Sequence, residues 1–346
     1  MSSKEPIVDV RNLHVEYTER GLGTRLKRVR AVDGVSFGIG KGEILALVGE
    51  SGCGKSTIAQ AVMRLVEPTA GSICSHGLDL AELSGAALRR ARRRFQMIFQ
   101  DPFGSLDPRQ TVFETVAEPL IIHRVFPDAG ARRAAVLEAL DFAHLKPPER
   151  LASRYPHELS GGQRQRVAIA SAMVLRPELI VADEPVSMLD VSARAGILSL
   201  MLDLRDQLGI SYLFITHDLP IAWVVADRIA VIYLGRIVEI GSSSDVVNSP
   251  KHPYTQALLS VNGSDEHVTL AGETPSASSI PTGCRFHPRC PRYHALGQPD
   301  RCTQEDPSLI DIHDTSAPQY PPETGTAKTT PNPHQTACHY AHDGTN

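Results

Sequence analysis

Residues 43–65 say more about how this chain folds than any other stretch. A short apolar run, Glu43-Ile44-Leu45-Ala46-Leu47-Val48, reads as a buried strand. It runs directly into Gly49-Glu50-Ser51-Gly52-Cys53-Gly54-Lys55-Ser56, and Thr57 to Leu65 then has helical character. Strand, glycine-rich loop and helix in that order are the context of a phosphate-binding loop. Gly49, Gly52 and Gly54 let successive backbone N–H groups turn inward toward phosphate oxygens. The helix, expected to begin near Ser56, aims its positive dipole end at the same point. Lys55 can neutralise β- and γ-phosphate charge, and the Ser56 hydroxyl can ligate Mg²⁺. An ordinary glycine-rich turn is the plain alternative, but the four fixed positions arise by chance in only about one chain per hundred of this length. The fold class expected is α/β.

A second phosphate-type site follows at Leu159-Ser160-Gly161-Gly162-Gln163, before a helical run from Arg164 to Leu175. A serine-capped helix preceded by a glycine turn is the plain reading. A helix N-terminus with two glycines is also an anion site that one chain does not need twice, so it is expected to close over the nucleotide of a partner subunit. Further strand patterns cover Ile7 to Val10, Leu13 to Tyr17 and Val32 to Ile39, with a cation-bearing loop (Arg20, Arg25, Lys27, Arg28, Arg30) between them. Helices are expected within Thr111 to Leu145, clearest from Ala131 to Leu140.

With 346 residues, 42% of them hydrophobic, the chain can bury two or three units. The formal net charge of −4 does not suit a nucleic-acid grip driven by bulk electrostatics. No apolar run reaches the ~18 residues of a bilayer span, and the N-terminus lacks a secretory pattern. The basic run Arg89, Arg90, Arg92, Arg93 and Arg94 could meet lipid headgroups, although a solvated helix face is favoured about three to one. Prolines shift toward the end, 13 of 25 lying at or beyond Pro250. We therefore expect a nucleotide-binding domain over 1–261, with a helical subdomain near 101–160. A Gly/Ser link (Asn262 to Glu266), a cysteine-bearing extension over 262–346 and an irregular stretch from Thr315 to Gln335 would follow.

Together these motifs resemble those of ABC-transporter nucleotide-binding subunits, along essentially the whole chain. The resemblance implies a P-loop NTPase fold, that is, a RecA-like core with an antiparallel β subdomain and a helical subdomain. Leu179-Ile180-Val181-Ala182-Asp183-Glu184 matches the Walker B strand, with Asp183 toward Mg²⁺ and Glu184 polarising the attacking water. Gln100 matches the Q-loop and a further Mg²⁺ contact. Ser187-Met188-Leu189-Asp190 matches the D-loop, and His217 the switch histidine. The catalytic set so implied is Glu184, His217 and Gln100. ATP would be held by Gly49, Glu50, Ser51, Gly52, Cys53, Gly54, Lys55, Ser56 and Thr57, with Tyr17 against adenine. Ser160, Gly161, Gly162, Gln163 and Asp190 would act across the dimer, and Ser56, Gln100 and Asp183 would hold Mg²⁺. A solvated histidine at 217 and an ordinary tyrosine at 17 are the plain alternatives. Inside this electropositive loop Cys53 is expected to favour its thiolate, so that alkylation inhibits and MgATP protects.

Ser249 to Leu259 and Pro281 to Pro291, which contains Cys284 and Cys290, resemble the C-terminal region of oligopeptide and dipeptide importer ATPases. That group also serves nickel and some sugars. Gln96 to Arg109 resembles the F-type member of their ATPase pair. Cys284, Cys290, Cys302 and Cys338 fall in the last 63 residues. In a reducing compartment a four-thiolate set favours metal over disulfides, and zinc, an iron–sulfur cluster or free thiols all remain open. His287, His294 and His339 lie near as substitute ligands. The resemblance implies a [4Fe–4S] cluster, with zinc second.

The expected activity is ATP hydrolysis coupled to transport, a translocase energising a binding-protein-dependent importer of oligopeptides or dipeptides. The expected partners are a second ATPase subunit (a different chain), two membrane-spanning permease subunits and an external substrate-binding protein, with no nucleic acid. The location is the cytoplasmic face of the cell membrane. The competing readings are a non-transport ABC ATPase of ribosomes or DNA repair, a redox or metal sensor and, with least support, an exporter.

Overall fold

In a computed structural model of the chain, residues 5–20, 26–260, 270, 272–312 and 333–341 are described. The chain begins with β1 (Val8–Arg20), β2 (Leu26–Ile39) and β3 (Ile44–Val48), then α1 (Lys55–Val62), β4 (Ala70–Ser75), β5 (Leu78–Asp79), α2 (Gly85–Arg92) and β6 (Phe95–Ile98). Helices α3 (Pro102–Ser105), α4 (Val112–Ile122), α5 (Ala129–Phe142), α6 (Pro148–Ala152) and α7 (Gly161–Met173) come next. The core resumes with β7 (Leu179–Asp183), α8 (Val191–Leu208), β8 (Ser211–Thr216), α9 (Leu219–Val225), β9 (Arg228–Tyr233) and β10 (Arg236–Ser242). It ends with α10 (Ser243–Asn248), α11 (Pro253–Ser260), α12 (Pro291–Ala295), α13 (Asp300–Gln304), β11 (Ile310–Asp311) and β12 (Gln335–Thr336).

Two sheets result. One is antiparallel, in the order β2-β1-β4-β5; the other runs β11-β12-β10-β9-β3-β8-β7-β6. In the larger sheet β9, β3, β8, β7 and β6 are mutually parallel. Parallel strands covered on both faces read as unbroken apolar runs, and β3, β7 and β8 are buried at every position. Alternation splits their side chains between two cores. Ile44, Ala46, Val48, Ile180, Ala182, Tyr212 and Phe214 face the helical layer. Leu45, Leu47, Val181, Leu213 and Ile215 face α1 and the antiparallel sheet.

Several expectations shift in detail. β2 begins at Leu26, so Lys27, Arg28 and Arg30 lie in a strand paired with β1 and not in a loop; Gly21 to Arg25 are outside the described residues. α1 starts at Lys55 and ends at Val62, short of Leu65. The Asn262 to Glu266 link is outside the described residues, as is most of the Thr315 to Gln335 stretch. The end of that stretch is regular, since Gln335 and Thr336 pair with Ile240 and Glu239 of β10. Two residues of the C-terminal part thus close onto the core sheet. Among the described residues no helix is long and apolar enough to cross a membrane.

Candidate nucleotide site

The register of the parallel strands sets the site. Val48 pairs with Thr216, Ile215 with Asp183, and Ala182 with Ile98. The residues just beyond these strand ends, Gly49, His217, Glu184 and Gln100, therefore emerge along one edge. The carboxyl edge of a parallel sheet is where such folds bind ligands.

The phosphate loop turns tightly against its neighbours. A Cβ on Gly49 would lie 2.3 Å from the Ile232 carbonyl, and one on Gly54 would lie 2.3 Å from the Ala31 carbonyl. Gly54, at φ 103°, caps α1 without a side chain, leaving the first N–H groups of that helix free for an anion. Lys55 Nζ donates to the Gly49 carbonyl at 2.8 Å and to the Glu50 carbonyl at 2.9 Å. The Ser56 hydroxyl donates to Asp183 Oδ1 at 3.2 Å. Burial raises the Asp183 carboxyl above its ordinary range; the Ser56 bond opposes this, Glu184 adds to it and Lys55 opposes it. A hydroxyl, a buried carboxylate and two glycines with no room for a side chain suit Mg²⁺ with a polyphosphate.

Glu184 joins three motifs. Its Oε2 accepts from Gln100 Nε2 at 2.8 Å, and its Oε1 lies 3.1 Å from His217 Nδ1. Its backbone sits at φ 46°, in the left-handed region, and is tied by its N–H to Ile215 and by its carbonyl to the Ser187 hydroxyl. Ser160 caps α7, and its side chain and that of Gln163 bond reciprocally to each other's backbone N–H. Asp190 caps α8, accepting from Ala193 N–H at 2.8 Å. Bonds from Ser192 and then from Ala193 hold its carboxyl below the ordinary value. Tyr17 stands on β1, 38% exposed. Arg92 of the basic run bonds the Met63 and Arg64 carbonyls and Arg94 pairs with Glu178, while Arg89, Arg90 and Arg93 are exposed.

Two expectations are corrected. Cys53 is 1% exposed, and burial pushes its thiol up even though Lys55 Nζ is 3.7 Å from its sulfur. Desolvation exceeds the attraction, so Cys53 is a neutral thiol filling the loop. The iron–sulfur cluster and the zinc alternative also fail. Cys284, Cys290, Cys302 and Cys338 border one small cavity, yet among the described residues no three Cys, His, Asp or Glu side chains are arranged to hold a metal ion. Burial raises Cys284 to about 12 and Cys290 to about 11, and raises Cys302 and Cys338 as well, which favours thiols over ligating thiolates. Backbone packing brings two of them together. Cys284 N–H bonds the Cys302 carbonyl at 2.9 Å, and a Cβ on Gly283 would strike that same oxygen.

Sequence reasoning missed the hold that C-terminal residues have on the loop. Glu50 N–H donates to the Tyr254 hydroxyl at 2.9 Å, and the Glu50 carboxylate takes both Arg289 and Thr274. No local pattern signals partners more than 200 positions away.

Comparison with known proteins places this geometry. The ABC transporter family profile matches residues 32–187, and the profile of the oligopeptide/dipeptide transporter C-terminal region matches residues 238–295. A putative peptide import ATP-binding protein of Brucella ovis is 46% identical over 90% of this chain and 96% of its own. The oligopeptide transport ATP-binding protein AppF of Bacillus subtilis is 46% identical over 84% and 91%. The dimeric cassette MJ0796, solved in a post-hydrolysis state with ADP and Pi, superposes with a TM-score of 0.60 at 32% identity, covering 68% of this chain and 98% of that one. A P-loop at the edge of a parallel sheet, an acidic pair on the next strand but one, a serine-capped glycine helix and a match along nine-tenths of a relative have one common reading: the chain belongs to the ABC transporter family of ATPases.

Proposed function

We propose that this chain hydrolyses ATP to energise the import of oligopeptides or dipeptides across a membrane. The observation that carries this reading is a Glu184 carboxylate held between Gln100 and His217 beside an intact phosphate loop, in a chain whose relatives are named for peptide import.

Ser56, Asp183 and Gln100 would hold Mg²⁺, which when bound draws charge from the β- and γ-phosphate oxygens. Gly49 to Thr57 would present backbone N–H groups to the phosphates, with Lys55 leaving its two carbonyl partners to neutralise the γ-phosphate. Glu184 would orient the attacking water and take its proton, while Gln100 and His217 fix the two carboxylate oxygens. Tyr17 would lie against adenine. Ser160, Gly161, Gly162, Gln163 and Asp190 would complete the site of a second ATPase subunit, a different chain, and tighter binding of ATP to the closed pair would drive closure. The remaining partners would be two membrane-spanning permease subunits and an external binding protein, with this chain peripheral at the cytoplasmic face.

The test is uptake by cells whose only copy carries Lys55→Ala. Import of a labelled tripeptide is expected to fall to background while nickel and sugar uptake persist. Loss of nickel or sugar uptake with peptide uptake intact would move this chain to another importer.

A further inference from the structure

Glu50 is an odd residue to find in a loop that must accept a polyphosphate. It lies five positions before Lys55, and the Lys55 ammonium bonds its backbone carbonyl. A free carboxylate there would repel the incoming phosphates, the β-phosphate included, and compete for Lys55. The structure occupies it instead. Arg289 Nη1 donates to Glu50 Oε2 at 2.9 Å and Arg289 Nη2 to Oε1 at 3.2 Å, a fork-to-fork pair. The Thr274 hydroxyl donates to the same carboxylate, and Arg289 Nη1 also reaches Thr274 at 3.2 Å. The Tyr254 hydroxyl receives the Glu50 N–H. Burial opposes ionisation of Glu50, but the bonds from Arg289 and Thr274 and the charges of Arg289 and Lys55 outweigh it and hold the carboxyl below its ordinary value.

The same segment grips the neighbouring turn. Arg285 donates to the Leu234 carbonyl and pairs with Asp33. Gly235 N–H in turn bonds the Cys53 carbonyl at 2.9 Å, and its carbonyl accepts Asp33 N–H. Between the two arginines Phe286 is buried against Tyr233, Tyr254 and His252, with ring centres 5.2, 5.4 and 5.6 Å away. An aromatic anchor thus seats Arg289 on the phosphate loop through Glu50 and Arg285 on the neighbouring turn, and the Arg285 and Arg289 side chains are only 6% and 8% exposed.

We infer that Arg289 is a positioning residue for nucleotide binding: by neutralising and holding Glu50, it keeps that carboxylate away from Lys55 and the incoming phosphates. This rests on the ATPase reading and adds to it that the C-terminal segment is part of the nucleotide site. Arg289 touches no nucleotide itself; it acts through Glu50.

The experiment is a double-mutant cycle read by MgADP titration of the full-length chain, with melting temperature recorded alongside. Arg289→Ala is expected to weaken MgADP binding about tenfold in the wild-type background, as losing one partner of a buried charge pair does. In the Glu50→Gln background the same change is expected to weaken it less than about twofold, because no carboxylate is left to misdirect. Arg289→Lys, which keeps the charge but not the fork, should fall between. An equal loss in both backgrounds would make Arg289 a plain structural brace and overturn the inference, as would no loss in either. Should Arg289→Ala fail to fold, Arg289→Lys in the two backgrounds gives the same comparison. Wild-type protein that binds no MgADP would sink the ATPase reading instead, a separate result.

Discussion

Glu184 occupies a backbone conformation that a glutamate adopts reluctantly, at φ 46°, which costs of order 1–2 kcal/mol. Its two backbone ties, to Ile215 and Ser187, and its two side-chain contacts, Gln100 and His217, offset that strain and aim the carboxylate. Glu184→Gln keeps the shape and removes the proposed base. Hydrolysis should drop about 10²–10⁴-fold while MgATP binding survives, as single-turnover assays and equilibrium titration would report; unchanged turnover would remove Glu184 from the chemistry. Cys53 makes the opposite case. It lies beside Lys55 but is sealed from solvent, so iodoacetamide at neutral pH should leave its peptide unmodified in native protein and label it after denaturation, as mass spectrometry would show. Fast native labelling blocked by MgATP would restore the thiolate that the loop's charge first suggests.

At the scale of elements, helix starts shape the proposed site. α1 begins at a glycine whose φ of 103° and 2.3 Å approach to Ala31 leave no room for a methyl group. Gly54→Ala should therefore reduce MgATP affinity by more than about tenfold, since the methyl must displace the loop or the strand behind it; calorimetry decides. α7 begins with a reciprocal cap between Ser160 and Gln163, and α8 with Asp190. The start of α1 was legible to within one residue of Ser56 because strand, glycine loop and helix are local signals; α7 begins three residues before the expected Arg164, since the Ser160 cap draws both glycines into the helix, and no helix start was expected at Asp190. β3 and β7 were legible because a strand buried on both faces is apolar throughout. The start of β2 at Leu26 was not, since its cations look like loop residues until β1 is seen beside them. The Cys53 thiol and the four C-terminal cysteines were misread for one reason. Sequence shows which groups are near in order but not how deeply each is buried, and burial decides whether a thiol ionises.

Across the whole molecule, the C-terminal part is locked down by polar groups far apart in sequence. Glu239 is fully buried and accepts from the backbone of Lys251 at 2.7 Å and of His252 at 2.9 Å, with His334 Nε2 at 2.8 Å. Burial pushes His252 down from 6.5 to about 4; the Glu239 charge opposes this and Arg292 reinforces it. Between those two values the unfolded chain binds the proton and the folded one does not. The contribution of His252 to stability is thus full above about pH 6.5 and lost as pH falls toward 4. Between pH 7.5 and 5.0 wild type should lose about 2 kcal/mol more than His252→Asn, read by urea unfolding; an equal loss would mean that His252 already carries its proton in the fold.

ATP hydrolysis in this chain is proposed to drive peptide import. The most direct test is ATP turnover in liposomes that hold this chain with its partner ATPase and permease subunits, with and without peptide-loaded binding protein outside. Peptide is expected to raise turnover and to accumulate inside, and Glu184→Gln to abolish both. Hydrolysis indifferent to peptide, with no accumulation, would contradict the proposal.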